Sequence, residues 1–156
     1  MAIEVGQEAP DFTLRNQHGE KIALSSFRGS KHVVLAFYPL AFSRVCTTQF
    51  TRFGEVEARY EGEDAQVIGV SVDSRYAQAA FAESIGLGRT MLLADFEPKG
   101  AIARVYGAYL DDFGFSTRAT FVIDKSGIVR SAEVMTSPAD LPSEEASFAA
   151  LRSGDA

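Results

Sequence analysis

Residues 33–46 constrain this chain more than any other stretch. Residues 33–38 read VVLAFY, a β-branched and aromatic run that suits a buried strand. Pro39 ends the run, because it has no N–H to extend a ladder. Over residues 47–60 the apolar residues Phe50, Phe53, Val56 and Tyr60 recur at helical spacing. Cys46, the only cysteine among 156 residues, is therefore expected in the first turn of a helix, just after a central strand. Backbone N–H groups in that turn have no helical partner, and the helix dipole favours negative charge there. Thiols so placed ionise more readily than free ones, and the thiolate is the nucleophile.

The flanking pattern alternates strands and helices. Residues 11–14 and 21–24, around a turn at 16–19, predict a hairpin, and 28–31 predict a loop. Residues 66–72 predict the next buried strand. A strand, a helix and a strand within about forty residues imply a right-handed parallel crossover. Asp73 and Ser74 offer N-caps for a helix over 75–85, with Ala77, Ala80, Phe81 and Ile85 inward and Gly86 and Gly88 at its end. Residues 91–94 predict a short strand. Pro98 opens a short helix with Ile102, Val105 and Tyr106 on one face. Residues 111–117 predict a loop, and 119–123 and 128–134 predict paired strands about a turn at 124–127. Ser143 caps a last helix through Leu151, with Phe148 and Leu151 inward. The expected architecture is one α/β domain over residues 1–156, a central mixed sheet flanked by helices on both faces.

Several function classes are disfavoured. A net charge of −6 argues against nucleic acid, and no Lys/Arg cluster offers a site for anionic lipid. The longest apolar run is too short to span a bilayer, and residues 1–4 have neither the basic start nor the apolar core of a signal peptide. A lone cysteine excludes an internal disulfide and a Cys-rich zinc site, and suits the cytoplasm. His18 and His32 are expected to face solvent, no residues show metal-ligand spacing, and no cofactor is implied. Gly86 and Gly88 lack the rest of a phosphate-loop spacing.

The octet Pro39-x-x-x-Ser43-x-x-Cys46 resembles the P-x-x-x-[T/S]-x-x-C signature of the peroxiredoxins, thiol peroxidases of the alkyl hydroperoxide reductase family with a thioredoxin-like fold. Gly6 and Ala9-Pro10-Asp11-Phe12 with Leu14 resemble the family's G-x-x-A-P-D-F-x-L, and Arg118 with residues 120–124, TFVID, its R-x-T-F-V-I-D. Residues 37–42, with Asp95-Phe96 and Gly100-Ala101, look most like the one-cysteine, E-type branch. The likeness covers about residues 5–135, with the blocks in the family's order.

The resemblance implies roles. Cys46 would attack a peroxide oxygen and become a sulfenic acid. Ser43 would hydrogen-bond the peroxide, and Arg118 would stabilise the thiolate and the leaving oxygen. The N–H groups of Val45 and Cys46 would complete the substrate site, and Pro39 would shield the sulfur from water. At Gln49 the sequence departs from the branch, which carries Glu there to pair with the arginine. A neutral amide still accepts a hydrogen bond but holds a guanidinium less tightly. The substrates implied are hydrogen peroxide, organic hydroperoxides or peroxynitrite. With no second cysteine, an external thiol must resolve the sulfenic acid: a low-molecular-weight thiol or a thioredoxin-, glutaredoxin- or mycoredoxin-like protein. A homodimer built on exposed Phe42, Phe96 and Phe113 is expected.

Thiol ionisation alone cannot supply the rate. Lowering a thiol pKa from about 8.5 to about 6 raises the thiolate fraction at pH 7 roughly 30-fold. The accompanying loss of nucleophilicity takes back roughly 10-fold. Groups that orient the peroxide must do most of the work. Plainer readings compete: Cys46 as a buried small hydrophobe, Ser43 as an N-cap, Pro39 as a strand stop, Arg118 as a surface ion-pair partner, and Gln49 as an exposed helix residue. Two other functions compete as well, a peroxide-sensing thiol switch and a non-catalytic thioredoxin-like binding module.

Overall fold

The computed structural model describes residues 3–153. In chain order the elements are β1 (Thr13–Asn16), β2 (Lys21–Ala23), a 3₁₀ turn (Leu24–Phe27), β3 (His32–Phe37), α1 (Arg44–Glu55), α2 (Glu57–Gly62), β4 (Ala65–Ser71) and α3 (Arg75–Ser84). There follow β5 (Met91–Ala94), α4 (Ala101–Val105), β6 (Tyr109–Leu110), β7 (Phe115–Ser116), β8 (Ala119–Ile123), β9 (Val129–Val134) and α5 (Glu144–Ser153). Seven strands form one mixed sheet in the order β2-β1-β5-β4-β3-β8-β9. β3, β4 and β5 are parallel, and β8 runs antiparallel to β3.

β3 sits near the middle and is buried along its whole length, which is why its sequence reads as an unbroken apolar run. Alternate residues face opposite layers. Val33, Leu35 and Phe37 pack with Ile68, Val70, Phe121 and, from just past α4, Tyr106. Val34, Ala36 and Tyr38 pack with Cys46, Phe50 and Phe53 of α1, Tyr60 of α2, Phe81 of α3, and Phe148 and Leu151 of α5. Helices therefore cover both faces, as expected.

Several local expectations need correction. The helical run over 47–60 is two helices, broken at Val56 (φ −107°, ψ 10°). α3 buries Gln78, Phe81 and Ala82, while Ala80 is exposed. Its many alanines leave the apolar face poorly marked, and Gln78 earns its place through hydrogen bonds to Ser71 Oγ (3.0 Å) and the Leu93 carbonyl (2.7 Å). Around α4, Ile102 and Tyr106 pack inward as expected and Ala103 joins them, whereas Val105 is 50% exposed. Residues 109–116 are a small hairpin, β6–β7. His32 is 2% exposed, because β3 begins there and pairs it with Ala65.

Gly69 sets how closely α1 approaches the sheet. A Cβ on Gly69 would lie 2.7 Å from two Phe50 ring carbons and 2.9 Å from Leu92 Cδ2. Gly69→Ala is expected to destabilise the fold by about 1–3 kcal/mol through overpacking, read by urea unfolding. A second expectation concerns pH. Asp124 is mostly buried, and burial pushes its carboxyl pKa up. The Ile128 and Ser126 N–H groups and Arg130 outweigh that and hold it below the usual aspartate value. A depressed folded pKa stabilises the fold above the unfolded value of about 3.9, and the gain is lost as pH falls through the folded value. Asp124→Asn should therefore be less stable at pH 7, and the deficit should shrink as pH drops from about 4 to about 2.

Candidate active site

Three parts of the chain meet where β3 leaves the sheet. Tyr38 still donates to the Val70 carbonyl (3.0 Å), and buried Pro39 then turns the backbone out of the ladder. Residues 40–43 form a tight turn in which Ser43 N donates to the Leu40 carbonyl (3.3 Å) and Ala41 N to Asp73 Oδ2 (2.8 Å). Phe42 adopts φ 68°, the left-handed region that a side-chain-bearing residue seldom occupies. α1 then starts at Arg44, so Cys46 is its third residue.

Ser43 occupies the N-cap position with extended dihedrals, but its side chain accepts no capping hydrogen bond. Its hydroxyl oxygen is buried without a protein partner. Only its backbone carbonyl caps, accepting from Thr47 N and Thr47 Oγ1 (both 2.9 Å). The hydroxyl is thus held in reserve at a helix start, beside the N–H groups of Val45 and Cys46, which lie before the first intrahelical bond. Cys46 is 0% exposed, walled on its apolar side by Tyr38 and Phe50.

One turn on from Cys46, on the same face of α1, lies Gln49. Its Oε1 accepts from Arg118 Nη1 at 2.9 Å. Arg118 stands one residue before β8, and the β3–β8 register sets Ala119 opposite Phe37, so the arginine lies beside the end of β3. Its Nε donates to the Pro138 carbonyl (2.7 Å), and its own carbonyl accepts from Met135 N (2.9 Å). The side chain is 2% exposed and forms no ion pair among the described residues. A cation is thus buried against two neutral oxygens, an arrangement that favours an anion close by.

The structure therefore brings together Pro39, Ser43, Val45, Cys46, Gln49 and Arg118. Arg118 is not a surface ion-pair partner, and Gln49 is not an exposed helix residue. Arg118 points into the protein, to Gln49 and the Pro138 carbonyl, and not into solvent. Three participants were not apparent from sequence. The Pro138 carbonyl is a backbone group, and no side-chain pattern could mark it. Asp73 was expected, with Ser74, as a cap for α3; Ser74 does cap, accepting from Ala77 N (3.2 Å), while Asp73 reaches back to Ala41. The Tyr38 phenol is buried and makes no well-formed hydrogen bond. Its burial pushes its pKa up by more than the neighbouring Ser71 and Gln78 side chains lower it, so it stays protonated. Among the described residues no group of three or more His, Cys, Asp or Glu could hold a metal ion. Behind Gln49 lies a cavity of about 230 Å³, lined also by Phe53, Tyr60, Thr120 and Glu144.

Replacing Gln49 with leucine would leave the Arg118 Nη1 donor buried and unpaired. A loss of about 1–3 kcal/mol in unfolding free energy is expected by chemical denaturation.

Comparison with known proteins gives a consistent result. Residues 5–132 match the model of the AhpC/TSA family. The chain is 37% identical over 132 residues to alkyl hydroperoxide reductase E of Mycobacterium tuberculosis, covering 85% of this chain and 86% of that protein. It is 37% identical over 155 residues to peroxiredoxin tpx1 of Schizosaccharomyces pombe, covering 94% and 79%. Among solved structures, peroxidoxin BcpB of Mycobacterium tuberculosis superposes with a TM-score of 0.80 at 27% identity, covering 98% and 97% of the two chains. Enterococcus faecalis AhpC superposes with a TM-score of 0.87 at 27% identity, covering 99% and 93%.

Proposed function

The chain belongs to the AhpC/TSA family and is a thiol-dependent peroxidase with a thioredoxin-like fold, and from that premise we propose a one-cysteine mechanism centred on Cys46. The observation that carries it is the buried Arg118 guanidinium, held by the neutral acceptors Gln49 and the Pro138 carbonyl, with Gln49 one helical turn from Cys46, the only cysteine in the chain. That charge and the amino end of α1 both favour negative charge in the space between them.

The thiolate attacks one oxygen of the peroxide, forming an S–O bond as the O–O bond breaks. The sulfur becomes a sulfenic acid, and the departing hydroxide or alkoxide takes a proton to become water or alcohol; from peroxynitrite the leaving group is nitrite. Negative charge moves from sulfur to the leaving oxygen, so donors aimed at that oxygen lower the barrier. Arg118 and the Ser43 hydroxyl supply them, the hydroxyl being free of any protein acceptor. The N–H groups of Val45 and Cys46 face the same end of the helix. Pro39 closes the water-facing side, and Gln49 holds the guanidinium in line. Because the sulfur has no exposed surface, a peroxide enters only when the chain around Cys46 shifts.

Turnover then requires an external thiol. It condenses with the sulfenic acid, releasing water and leaving a mixed disulfide, and a second thiol restores Cys46. A low-molecular-weight thiol or a thioredoxin-, glutaredoxin- or mycoredoxin-like protein fills this role. The substrate class is hydrogen peroxide, organic hydroperoxides or peroxynitrite, and the relative named alkyl hydroperoxide reductase E supports the second of these. Phe42, Phe96 and Phe113 are each more than half exposed and supply an apolar surface for a homodimer. The cytoplasm is the proposed location; no helix among the described residues is long and apolar enough to cross a membrane.

Cys46→Ser is expected to abolish peroxide consumption. Arg118→Met should slow Cys46 oxidation by about 10²–10³-fold. Quenched-flow mixing with mass measurement suits a chain without tryptophan. Undiminished consumption by the serine variant would overturn the assignment. A single oxidation without repeated turnover, whatever reductant is supplied, would favour the thiol switch.

A further inference from the structure

The Ser43 hydroxyl makes no hydrogen bond to the protein, so its position is set entirely by the backbone of residues 41–43. Its carbonyl end is fixed to α1 through Thr47 N and Thr47 Oγ1, but the stretch that enters it from residue 40 is loosely held by its own contacts. Phe42 is in the left-handed region, its ring is 54% exposed, and it leans edge-on against Phe81 with centroids 5.3 Å apart. The turn's internal bond, Ser43 N to the Leu40 carbonyl, is long at 3.3 Å. The firm hold on that entering stretch comes from outside, where Ala41 N donates to Asp73 Oδ2 at 2.8 Å.

Asp73 is itself held. The same oxygen, Oδ2, accepts from Ser71 Oγ at 2.7 Å. Ser71 Oγ in turn accepts from Gln78 Nε2 at 3.0 Å, and that amide also donates to the Leu93 carbonyl at 2.7 Å. Ser71 ends β4, Gln78 is fully buried on α3, and Leu93 lies on β5. The carboxylate thus ties a strained loop to the rigid middle of the sheet. We propose that Asp73 is a positioning residue for the peroxide reaction, holding the Ser43 hydroxyl at the site by fixing the Ala41 amide. A small displacement of an orienting group costs about 10²-fold when the reaction depends on alignment. The inference rests on the peroxidase reading of Cys46 and Ser43, and adds to it a residue that touches neither sulfur nor peroxide.

The test uses the full-length reduced protein and two reagents. Hydrogen peroxide needs Ser43, whereas iodoacetamide needs only the Cys46 thiolate. Asp73→Ala is expected to lower the second-order rate constant with hydrogen peroxide by about 10–100-fold, while alkylation is unchanged or faster because the loop is freed. Asp73→Asn keeps an acceptor oxygen and should stay within about threefold of the unmodified protein. In a Ser43→Ala background, Asp73→Ala should add less than about threefold, since its effect runs through the hydroxyl. Ser71→Ala removes the other bond to the same carboxylate oxygen and should cost the peroxide rate about three- to tenfold without slowing alkylation, so it carries the test if Asp73→Ala does not fold. Equal slowing with both reagents, an asparagine variant as slow as the alanine one, a full loss that persists without Ser43, or no loss in Ser71→Ala would each overturn the proposal. Failure of the peroxidase reading shows separately: the unmodified protein would then react with hydrogen peroxide no faster than a free cysteine.

Discussion

A guanidinium buried against neutral oxygens governs the rest of this molecule. Arg118 joins α1 through Gln49, the strand end through its own backbone, and the segment leading to α5 through Pro138. Desolvating a cation costs several kcal/mol even after relaxation. Two hydrogen bonds to neutral acceptors offset only part of that, so the charge is best satisfied by an anion that the resting contacts do not include. A carboxylate at position 49 would hold the arginine more tightly and cancel much of its field. An amide there holds it through one bond and leaves the field directed elsewhere. The departure at Gln49 therefore exchanges some rigidity for charge that stays available.

The fold explains why this happens at one end of the sheet. Parallel strands β3 and β4 deliver their carboxyl ends side by side, and the loops beyond them converge. β8, antiparallel to β3, begins at that same end and brings Arg118 with it. The α1 start faces the same place, so a helix terminus, a cation and a sulfur are gathered by topology from residues some seventy positions apart. The site is held closed by packing on one side, where Tyr38 and Phe50 meet at 4.6 Å between centroids, and by a strained turn on the other.

The readings that held and those that failed differ in how much residue chemistry each position carries. β3, β4 and β8 are rich in β-branched and aromatic residues, and their burial left a continuous apolar trace. α1 was legible because Phe50 and Phe53 are large and well spaced, though the break at Val56 was not, since it changes no residue class. α3 was misjudged because alanine fits either face, while a buried glutamine looks like a surface residue until its hydrogen bonds are known. α4 is too short for a period to be read. His32 is buried against its expected exposure because one polar residue at a strand's start looks like the loop before it.

At the site the same division holds. The spacing of Pro39, Ser43 and Cys46 lies within one strand–turn–helix unit, so local sequence alone determined their arrangement, as it determined a central buried strand and a cysteine at a helix start. What only tertiary structure decided is every contact between distant segments: Arg118 on Gln49, the Pro138 carbonyl on Arg118, and Asp73 on the Ala41 amide. These bonds depend on strand order and register and, in one case, on a backbone carbonyl that any residue could supply. A chain's local pattern specifies which groups can donate or accept, but the distance and angle that make a hydrogen bond exist only once the sheet has brought its ends together.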